Sequence, residues 1–168
     1  MIGIVNMYHD SDKVKPLVAA VRGLGYRVYM GELSEIATSR IKTWILSGAD
    51  RDVTDTDAVQ VPLELLTLKK RFLMICYSME SVLYQMGYPI QKRANEKGYF
   101  RLRLDRTITA YRNHQYFFRP NDLPILAAYR GELMMTIIGP ALLVQFHPEH
   151  SSDGRQLLSQ FLKNTQAN

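Results

Sequence analysis

Short apolar runs alternate with amphipathic stretches along the first half of the chain. Four apolar runs have the length and composition of strands, and the first of them is a candidate for a buried strand: residues 2–7, 27–30, 43–46 and 72–75. Four stretches with apolar residues at helical spacing predict helices: residues 13–24, 33–40, 61–70 and 79–86. Because strands that alternate with helices form parallel sheets covered on both faces, this pattern predicts an α/β fold.

The pattern changes after Gly87. Three short β-type runs follow one another, at residues 89–93, 99–104 and 107–111. They predict antiparallel or mixed strands at one side of the sheet. Residues 134–138 and 141–145 flank the turn dipeptide Gly139-Pro140 and predict a hairpin, and a last helix begins at Asp153-Gly154.

These elements predict an open, mostly parallel sheet with helices on both faces and an added antiparallel edge. The chain has 168 residues, which suits one domain with a sizeable core. It contains no internal repeat, low-complexity segment or linker. We therefore predict a single domain over residues 1–168.

Composition narrows the class of protein. The hydrophobic fraction of 46% and the charged fraction of 22% are those of a globular protein. The N-terminus does not resemble a signal peptide, and no apolar stretch approaches the roughly 20 residues that cross a bilayer. We expect a cytoplasmic protein with no membrane contact.

The net charge of +5 raises the question of whether a basic part of the surface binds a partner. Arg101 and Arg103 would share one face of a strand, because side chains alternate across a strand. A solvated basic face is the simplest interpretation, with a docking surface for an acidic partner or a nucleic-acid patch as alternatives. No nucleic-acid motif accompanies these residues, so we do not expect a nucleic-acid partner.

The only cysteine, Cys76, lies where an apolar strand run meets a helical stretch. That order predicts a sharp strand-to-helix turn, which exposes a nucleophile above a sheet and places it at a helix N-terminus that favours a thiolate. Taken alone, a cysteine in such a run is more often a small buried hydrophobe. A distant His147-Pro148-Glu149 at the end of a second apolar run favours covalent acyl chemistry instead.

Three polar features follow predicted strands and meet at one edge of the sheet. They are the Ser47-Gly48-Ala49 loop, the Cys76 turn and the His147-Pro148-Glu149 segment. A cysteine nucleophile needs a base, an orienting carboxylate and two N–H donors for the oxyanion. The Gly48 loop and the N–H of Tyr77 are the candidate donors. His147 could instead be a structural strand-end residue.

A metal site is the other alternative for this segment. His147 and Glu149 could hold a metal together with His150, but no further well-spaced ligand set accompanies them. We expect neither a metal nor a cofactor.

Three motifs together resemble the class I (triad-type) glutamine amidotransferases. Residues 45–49, Ile-Leu-Ser-Gly-Ala, are similar to the oxyanion loop of that family, and residues 74–80, Met-Ile-Cys-Tyr-Ser-Met-Glu, are similar to its nucleophile elbow. Residues 144–149, Val-Gln-Phe-His-Pro-Glu, match its third motif at every position. Within the family, the motifs are most similar to those of the amidotransferase domain of GMP synthase. Residues 113–116 resemble the glutamine-contacting loop of carbamoyl phosphate synthase small subunits.

The resemblance implies a flavodoxin-like fold and hydrolysis of the glutamine side-chain amide. It implies that Cys76 forms a γ-glutamyl thioester, that His147 transfers the proton and that Glu149 holds His147. The oxyanion donors would be backbone N–H groups of Gly48, Ala49 and Tyr77. A separate synthetase or amination partner would receive the ammonia.

The resemblance also implies a substrate-binding set. It consists of Glu80, Asn113, His114 and Gln115. Of these, His114 could alternatively be a surface residue of a polar loop. Tyr8, His9 and Asp10 follow the first strand and would either line the same cleft or cap a helix.

Three positions depart from the family motifs. Met74 and Ala49 stand where glycines are usual, and Glu80 replaces a glutamine. These departures leave two alternatives open. One is a γ-glutamyl amide or peptide hydrolase with the same catalytic residues, and the other is a catalytically silent interaction module.

Overall fold

The structure is a computed structural model that describes residues 1–164, and its centre is a seven-stranded sheet. The strands within these residues are β1 Ile2–Val5, β2 Val28–Gly31, β3 Thr43–Leu46, β4 Arg71–Ile75, β5 Ile90–Arg103, β6 Thr107–Phe118, β7 Ala127–Tyr129, β8 Glu132–Ile138 and β9 Ala141–Val144. The central sheet has the order β2-β1-β3-β4-β9-β8-β7, and β5 pairs with β6 in a separate two-stranded sheet. Across residues 1–164, no helix is both long and apolar enough to cross a membrane.

The five strands from β2 to β9 run parallel. Their order is the flavodoxin-like one, with β9 as the fifth parallel strand. The next two, β8 and β7, are antiparallel to their neighbours. These findings confirm the predicted flavodoxin-like sheet with an antiparallel edge, and β8 and β9 are the predicted hairpin.

Helices cover both faces of the sheet, as predicted. They are α1 Lys15–Gly23, α2 Tyr77–Gln85 and α3 Ser152–Lys163. Leu17 of α1 and Leu158 of α3 pack on one face, whereas Val82 of α2 packs on the other. Each face of the sheet therefore has its own hydrophobic core. Because side chains alternate along a strand, Leu73 points into the core beneath α1 and α3, whereas Met74 points into the core beneath α2.

Two predicted helices are wrong. Residues 33–40 and 61–70 contain only short 3₁₀ turns, Leu33–Glu35 and Leu63–Thr67. Side chains bond to the backbone in both segments, which competes with helix propagation: the Thr38 hydroxyl donates to the Glu35 carbonyl at 3.3 Å.

The second segment shows the same competition. The Val61 N–H donates to the Ser81 hydroxyl of α2 at 2.8 Å, and the Thr67 hydroxyl donates to the Glu64 carbonyl at 2.8 Å. Each segment therefore lies against the core through a few buried residues rather than along a helical face.

The strands predicted at one side of the sheet form a different element. Residues 89–93 and 99–104 belong to one strand, β5, which bulges between Lys92 and Glu96 and continues through the predicted turn. Together β5 and β6 make a long ribbon, and its inner residues complete the core beside α3. The part of β6 beyond the predicted end at residue 111 reaches Cys76 at the end of β4, since the Asn113 carbonyl oxygen lies 3.9 Å from Cys76 Sγ.

Candidate active site

Cys76 occupies a sharp turn between β4 and α2. Its φ of 50° and ψ of −106° lie outside the regions that non-glycine residues commonly adopt. Two hydrogen bonds hold this conformation, because its N–H donates to Val144 O at 2.7 Å and its carbonyl accepts from the Glu80 N–H at 2.9 Å. Ser78, two residues on, donates to the Ser47 carbonyl at 2.6 Å and ties the turn to the neighbouring loop.

The imidazole and carboxylate predicted to act with Cys76 lie beside it. His147 Nδ1 and Glu149 Oε1 are 3.0 Å apart, and the His147 N–H donates to the Tyr111 carbonyl at 2.8 Å. The Cys76 thiol and the His147 ring are close enough for each to shift the pKa of the other. All three side chains are buried. The structure thus brings Cys76 together with His147 and Glu149, although Cys76 and Glu149 are 73 positions apart in the sequence.

Their mutual charges decide the protonation of this cluster. Burial lowers the pKa of His147, but the negative charge of Glu149 and the neighbouring Cys76 outweigh burial and raise it well above its ordinary value. Burial raises the pKa of the Cys76 thiol, and Glu80 adds to that rise, while His147 opposes it. A buried site disfavours a change in net charge. Transfer of a proton from the Cys76 thiol to the His147 imidazole leaves the net charge of the cluster unchanged, so burial does not oppose that transfer strongly.

The loop after β3 lies directly against this cluster. A Cβ atom on Gly48 would lie 2.8 Å from the Tyr8 hydroxyl and 2.9 Å from His147 Cε1, so only glycine fits the approach. The Ser47 hydroxyl holds the loop by accepting from the Met7 N–H at 2.9 Å and donating to the Gly48 carbonyl at 2.8 Å. The Tyr77 N–H interacts with the Cys76 sulfur and lowers its pKa. The candidate oxyanion donors therefore lie next to the thiol.

A cavity of about 290 Å³ opens beside Cys76. Ala49 and Tyr77 line it together with all four residues of the predicted substrate set, Glu80, Asn113, His114 and Gln115. Its volume lies near the lower end of small-molecule sites, which suits a ligand of amino-acid size.

Glu80 is a buried carboxylate within this cavity. Burial raises its pKa to about 7, while a hydrogen bond from Gln145 opposes the rise. Gln145 Nε2 donates to Glu80 Oε1 at 2.7 Å and also lies 3.8 Å from Cys76 Sγ. The charge of Glu80 therefore changes near neutral pH, one side chain away from the nucleophile.

His114 is buried, so the alternative of a surface histidine is wrong. Its Nε2 lies 3.4 Å from Glu132 Oε2, and Glu132 also forms an ion pair with Arg93. Burial lowers the pKa of His114, against the attraction of Glu132. Its Nδ1 has no partner within the described chain, which leaves that atom available to a ligand.

The other two members of the substrate set lie at the end of the ribbon nearest the thiol. The Asn113 carbonyl oxygen is 3.9 Å from Cys76 Sγ. Gln115 Nε2 donates to Asp52 at 2.7 Å, and the Tyr116 hydroxyl donates to the same carboxylate at 3.0 Å. Asp52 thereby fixes the ribbon to the polar loop after β3.

Two further residues border the site. Tyr8, one of the residues left open after β1, lies against Gly48, and burial raises the pKa of its phenol, with Cys76 and Glu149 contributing. Asp10 instead caps the 3₁₀ turn Ser11–Val14 by accepting from the Asp12 N–H.

Sequence reasoning missed Arg51, which lines the cavity and forms no ion pair with any residue in 1–164. The one feature of the sequence that could have pointed to Arg51 is its position as a lone cation in an aspartate-rich loop.

The metal alternative shares its atoms with this cluster. Donor atoms of His147, Glu149 and His150 all lie within 4.8 Å of one another. However, His147 Nδ1 and Glu149 Oε1 are already hydrogen-bonded to each other at 3.0 Å. A metal would have to break that bond, so the geometry favours an acid–base pair.

The thiol on its strained elbow and the buried imidazole–carboxylate pair thus lie beside a small polar cavity at the carboxyl edge of the flavodoxin-like sheet. The family model for class-I glutamine amidotransferases matches residues 10–165. The chain belongs to the class-I glutamine amidotransferase family.

Two similar proteins are named as glutamine-hydrolysing GMP synthases. The glutamine-hydrolysing GMP synthase of Thermotoga petrophila is 28% identical over 145 residues, covering 77% of this chain and 29% of that protein. The GMP synthase of Thermus thermophilus is 29% identical over 149 residues, covering 78% of this chain and 29% of that protein. The chain thus matches a little under a third of the length of these relatives.

A solved structure has the same fold. It is the crystal structure of a putative GMP synthase subunit from Thermoplasma acidophilum, which superposes with a TM-score of 0.74 at 17% sequence identity. The match covers 100% of this chain and 98% of that one.

Proposed function

We propose that this protein hydrolyses the side-chain amide of glutamine through a thioester on Cys76 and supplies the ammonia to a separate synthetase. The observation that carries the proposal is the Cys76–His147–Glu149 cluster beside a cavity of about 290 Å³. Membership of the family supports it. The proposed reaction takes place in the cytoplasm and uses no cofactor.

The reaction divides into acylation and deacylation. In acylation, Cys76 Sγ attacks the amide carbon while its proton moves to His147, and Glu149 stabilises the resulting imidazolium. The oxyanion is held by backbone N–H groups of the Gly48–Ala49 loop and of Tyr77. His147 then protonates the leaving nitrogen, which departs as ammonia and leaves a γ-glutamyl thioester.

Deacylation reuses the same residues. A water molecule gives a proton to His147 as its oxygen attacks the thioester carbon, and a second oxyanion forms in the same place. When the carbon–sulfur bond breaks, His147 returns the proton to the sulfur. Glutamate leaves, and the thiol is restored.

The charges of the cavity suit a zwitterionic amino acid. The Arg51 guanidinium has no carboxylate partner within residues 1–164 and is suited to the α-carboxylate of the substrate. Glu80, in its ionised form, is suited to the α-ammonium. Asn113, His114 and Gln115 on the ribbon close the opposite wall.

The acceptor of ammonia is proposed from the relatives. Proteins named glutamine-hydrolysing GMP synthase match this chain over a little under a third of their length. We therefore propose that a GMP synthase reaction, carried out by a separate synthetase subunit, uses the ammonia.

Glu80 also favours a second candidate, a γ-glutamyl amide or peptide hydrolase. A buried carboxylate beside the thiol would attract an amine carried on a larger leaving group. Such an enzyme would release the diamine from a γ-glutamyl amide of 1,4-diaminobutane, whose free end carries an ammonium group, faster than it releases ammonia from glutamine. The glutaminase proposal expects the opposite preference.

The test of the proposed function is ammonia release from glutamine. The wild-type protein is expected to release ammonia, and Cys76→Ala is expected to lower the rate at least about a thousandfold while its circular dichroism is unchanged. Because Cys76 is the only cysteine, alkylation by iodoacetamide should inactivate the wild type, and glutamine should slow that inactivation. No release by the wild type, alone or with its synthetase, would favour the silent interaction module.

A further inference from the structure

We propose that the outer face of the β5–β6 ribbon docks an acidic protein surface on the synthetase subunit that receives the ammonia. This inference rests on the proposed function, because it names the chemistry of that partner. The face carries three cations on β5, Lys97, Arg101 and Arg103, which are here called the basic ladder.

The alternation of β5 turns these cations outward. Phe100 and Leu102 point into the core and are 7% and 0% exposed, so the residues on either side of them face solvent. The residues paired with the ladder on β6 are neutral: Asn113, Thr109 and Thr107. The outer face is therefore basic without an intervening carboxylate on either strand.

The ladder differs from the cations on the inner side of the ribbon. Arg112 is paired with Glu96, and Arg93 is paired with Glu96 and Glu132. Within residues 1–164, no ladder residue forms an ion pair.

This arrangement costs electrostatic energy in the free protein. Arg101 and Arg103 are two positions apart on one strand, about 7 Å, which is within the screening length of about 8 Å at physiological salt. A complementary acidic surface would relieve that repulsion.

The basic face is continuous with the entrance of the cavity. Asn113, opposite Lys97, lines the cavity next to Cys76. Tyr99 is 66% exposed, and its hydroxyl donates to the His150 carbonyl at 3.2 Å. A protein bound to this face would lie beside the cavity, where it can receive ammonia before bulk water does.

The surrounding side chains favour a protein over a nucleic acid. Proteins that bind single strands stack successive bases on several exposed aromatic rings. On this face Tyr99 is exposed, whereas Tyr111 is half-buried and packs on His150 with ring centroids 4.9 Å apart. One exposed tyrosine among cations and threonines is typical of a polar protein interface.

The test compares two variants with the same change in net charge. The ladder variant carries Lys97→Glu, Arg101→Glu and Arg103→Glu. The control variant carries Arg27→Glu, Lys42→Glu and Lys69→Glu, which are exposed residues just before β2, β3 and β4, at the opposite end of the sheet. Binding to the purified GMP synthase synthetase subunit of the same organism is measured by calorimetry at about 0.05 M and about 0.15 M salt. Ammonia release from glutamine is measured in the same samples without the synthetase.

The ladder variant is expected to bind the synthetase at least about tenfold more weakly than the wild type, with the control variant within about twofold. Basal ammonia release should be unchanged in both variants. Wild-type affinity in the ladder variant would overturn the inference, as would tighter binding of the wild type to a single-stranded DNA of about 30 bases than to the synthetase. Ammonia release by the wild type that is absent both without and with the synthetase would count against the proposed function alone, because the binding comparison would still stand.

Discussion

Glu80 is a buried residue whose ionisation is expected to change stability near neutral pH. Burial raises its pKa to about 7 from 4.5, so the folded protein retains a proton that the unfolded chain releases between these values. Stability therefore falls as pH rises through this window, and above it the buried charge destabilises the fold.

The substitution Glu80→Gln removes that charge and keeps an acceptor for Gln145. It is expected to raise the free energy of unfolding at pH 8 by on the order of 3 kcal/mol, and by much less at pH 5. Urea denaturation at both pH values measures the difference. An equal effect at pH 5 and pH 8 would contradict the raised pKa.

Arg51 is the residue expected to select the α-carboxylate of the substrate. Arg51→Gln is expected to raise the KM for glutamine at least about tenfold, because a charge-assisted pair in a cavity is lost. The same variant should also lose activity toward glutaramate, which has the carboxylate but no amine. Activity toward 4-aminobutanamide, which lacks the carboxylate, should be unaffected.

Steady-state kinetics with the three amides separate this role from a structural one. Glu80→Gln is the matched control, with the complementary pattern at pH 8: losses toward glutamine and 4-aminobutanamide but not toward glutaramate. Equal losses on all three amides in Arg51→Gln would mean that Arg51 maintains the shape of the cavity instead.

At the scale of elements, the loop after β3 and the turn after β4 together carry the proposed oxyanion donors. A methyl group on Gly48 would collide with His147, which cannot yield because Glu149 and the Tyr111 carbonyl hold it. Gly48→Ala is therefore expected to lower kcat about a hundredfold, as loss of an oxyanion donor does, with a small change in Tm.

Ala49→Gly is the control for that prediction. It restores the residue usual in the family and should leave kcat equal or higher. Ammonia release and thermal unfolding measured on both variants test the idea. Wild-type kcat in Gly48→Ala would mean that the loop does not approach the reacting atoms.

The ribbon is held in place by a buried ionic cluster. Glu132 of β8 is 1% exposed and accepts from Arg93 of β5 at 2.8 Å. Glu132→Gln is expected to destabilise the fold by about 2–3 kcal/mol, because Arg93 loses a charge-assisted partner and keeps only Glu96. It should also raise the KM for glutamine, since His114 loses the same partner.

Lys92→Gln is the control for the ribbon. Its ion pair with Asp52 is 3.6 Å long and its own side chain is 54% exposed, so its loss should cost no more than about 1 kcal/mol. Urea denaturation and KM are the measurements. A similar small effect of Glu132→Gln would show that the buried cluster does not fix the ribbon.

The elements show where sequence patterns suffice. These strand runs were predictable because four consecutive buried residues leave a strong local signal, as at Thr43–Leu46 and at residues 72–75. Residues 33–40 and 61–70 were mispredicted because bonds from Thr38 and Ser81 favour 3₁₀ turns, and such bonds leave little trace in apolar spacing.

At the scale of the whole molecule, the parallel sheet assembles the site from distant segments. The carboxyl ends of β1, β3, β4 and β9 bring Tyr8, Gly48, Cys76 and His147 to one edge. The last three were predictable because each follows a recognisable strand with residues suited to acyl chemistry. The position of the ribbon was not, because it depends on pairs far apart in sequence, such as Arg93 with Glu132.

The central claim is that glutamine is cleaved through a covalent bond to Cys76. The most direct measurement is the intact mass of the protein, acid-quenched within milliseconds of mixing with glutamine, together with the ammonia released. The account predicts one added γ-glutamyl group on Cys76 in the wild type and none in Cys76→Ala. Ammonia release by Cys76→Ala at the wild-type rate, with no adduct on either protein, would contradict it.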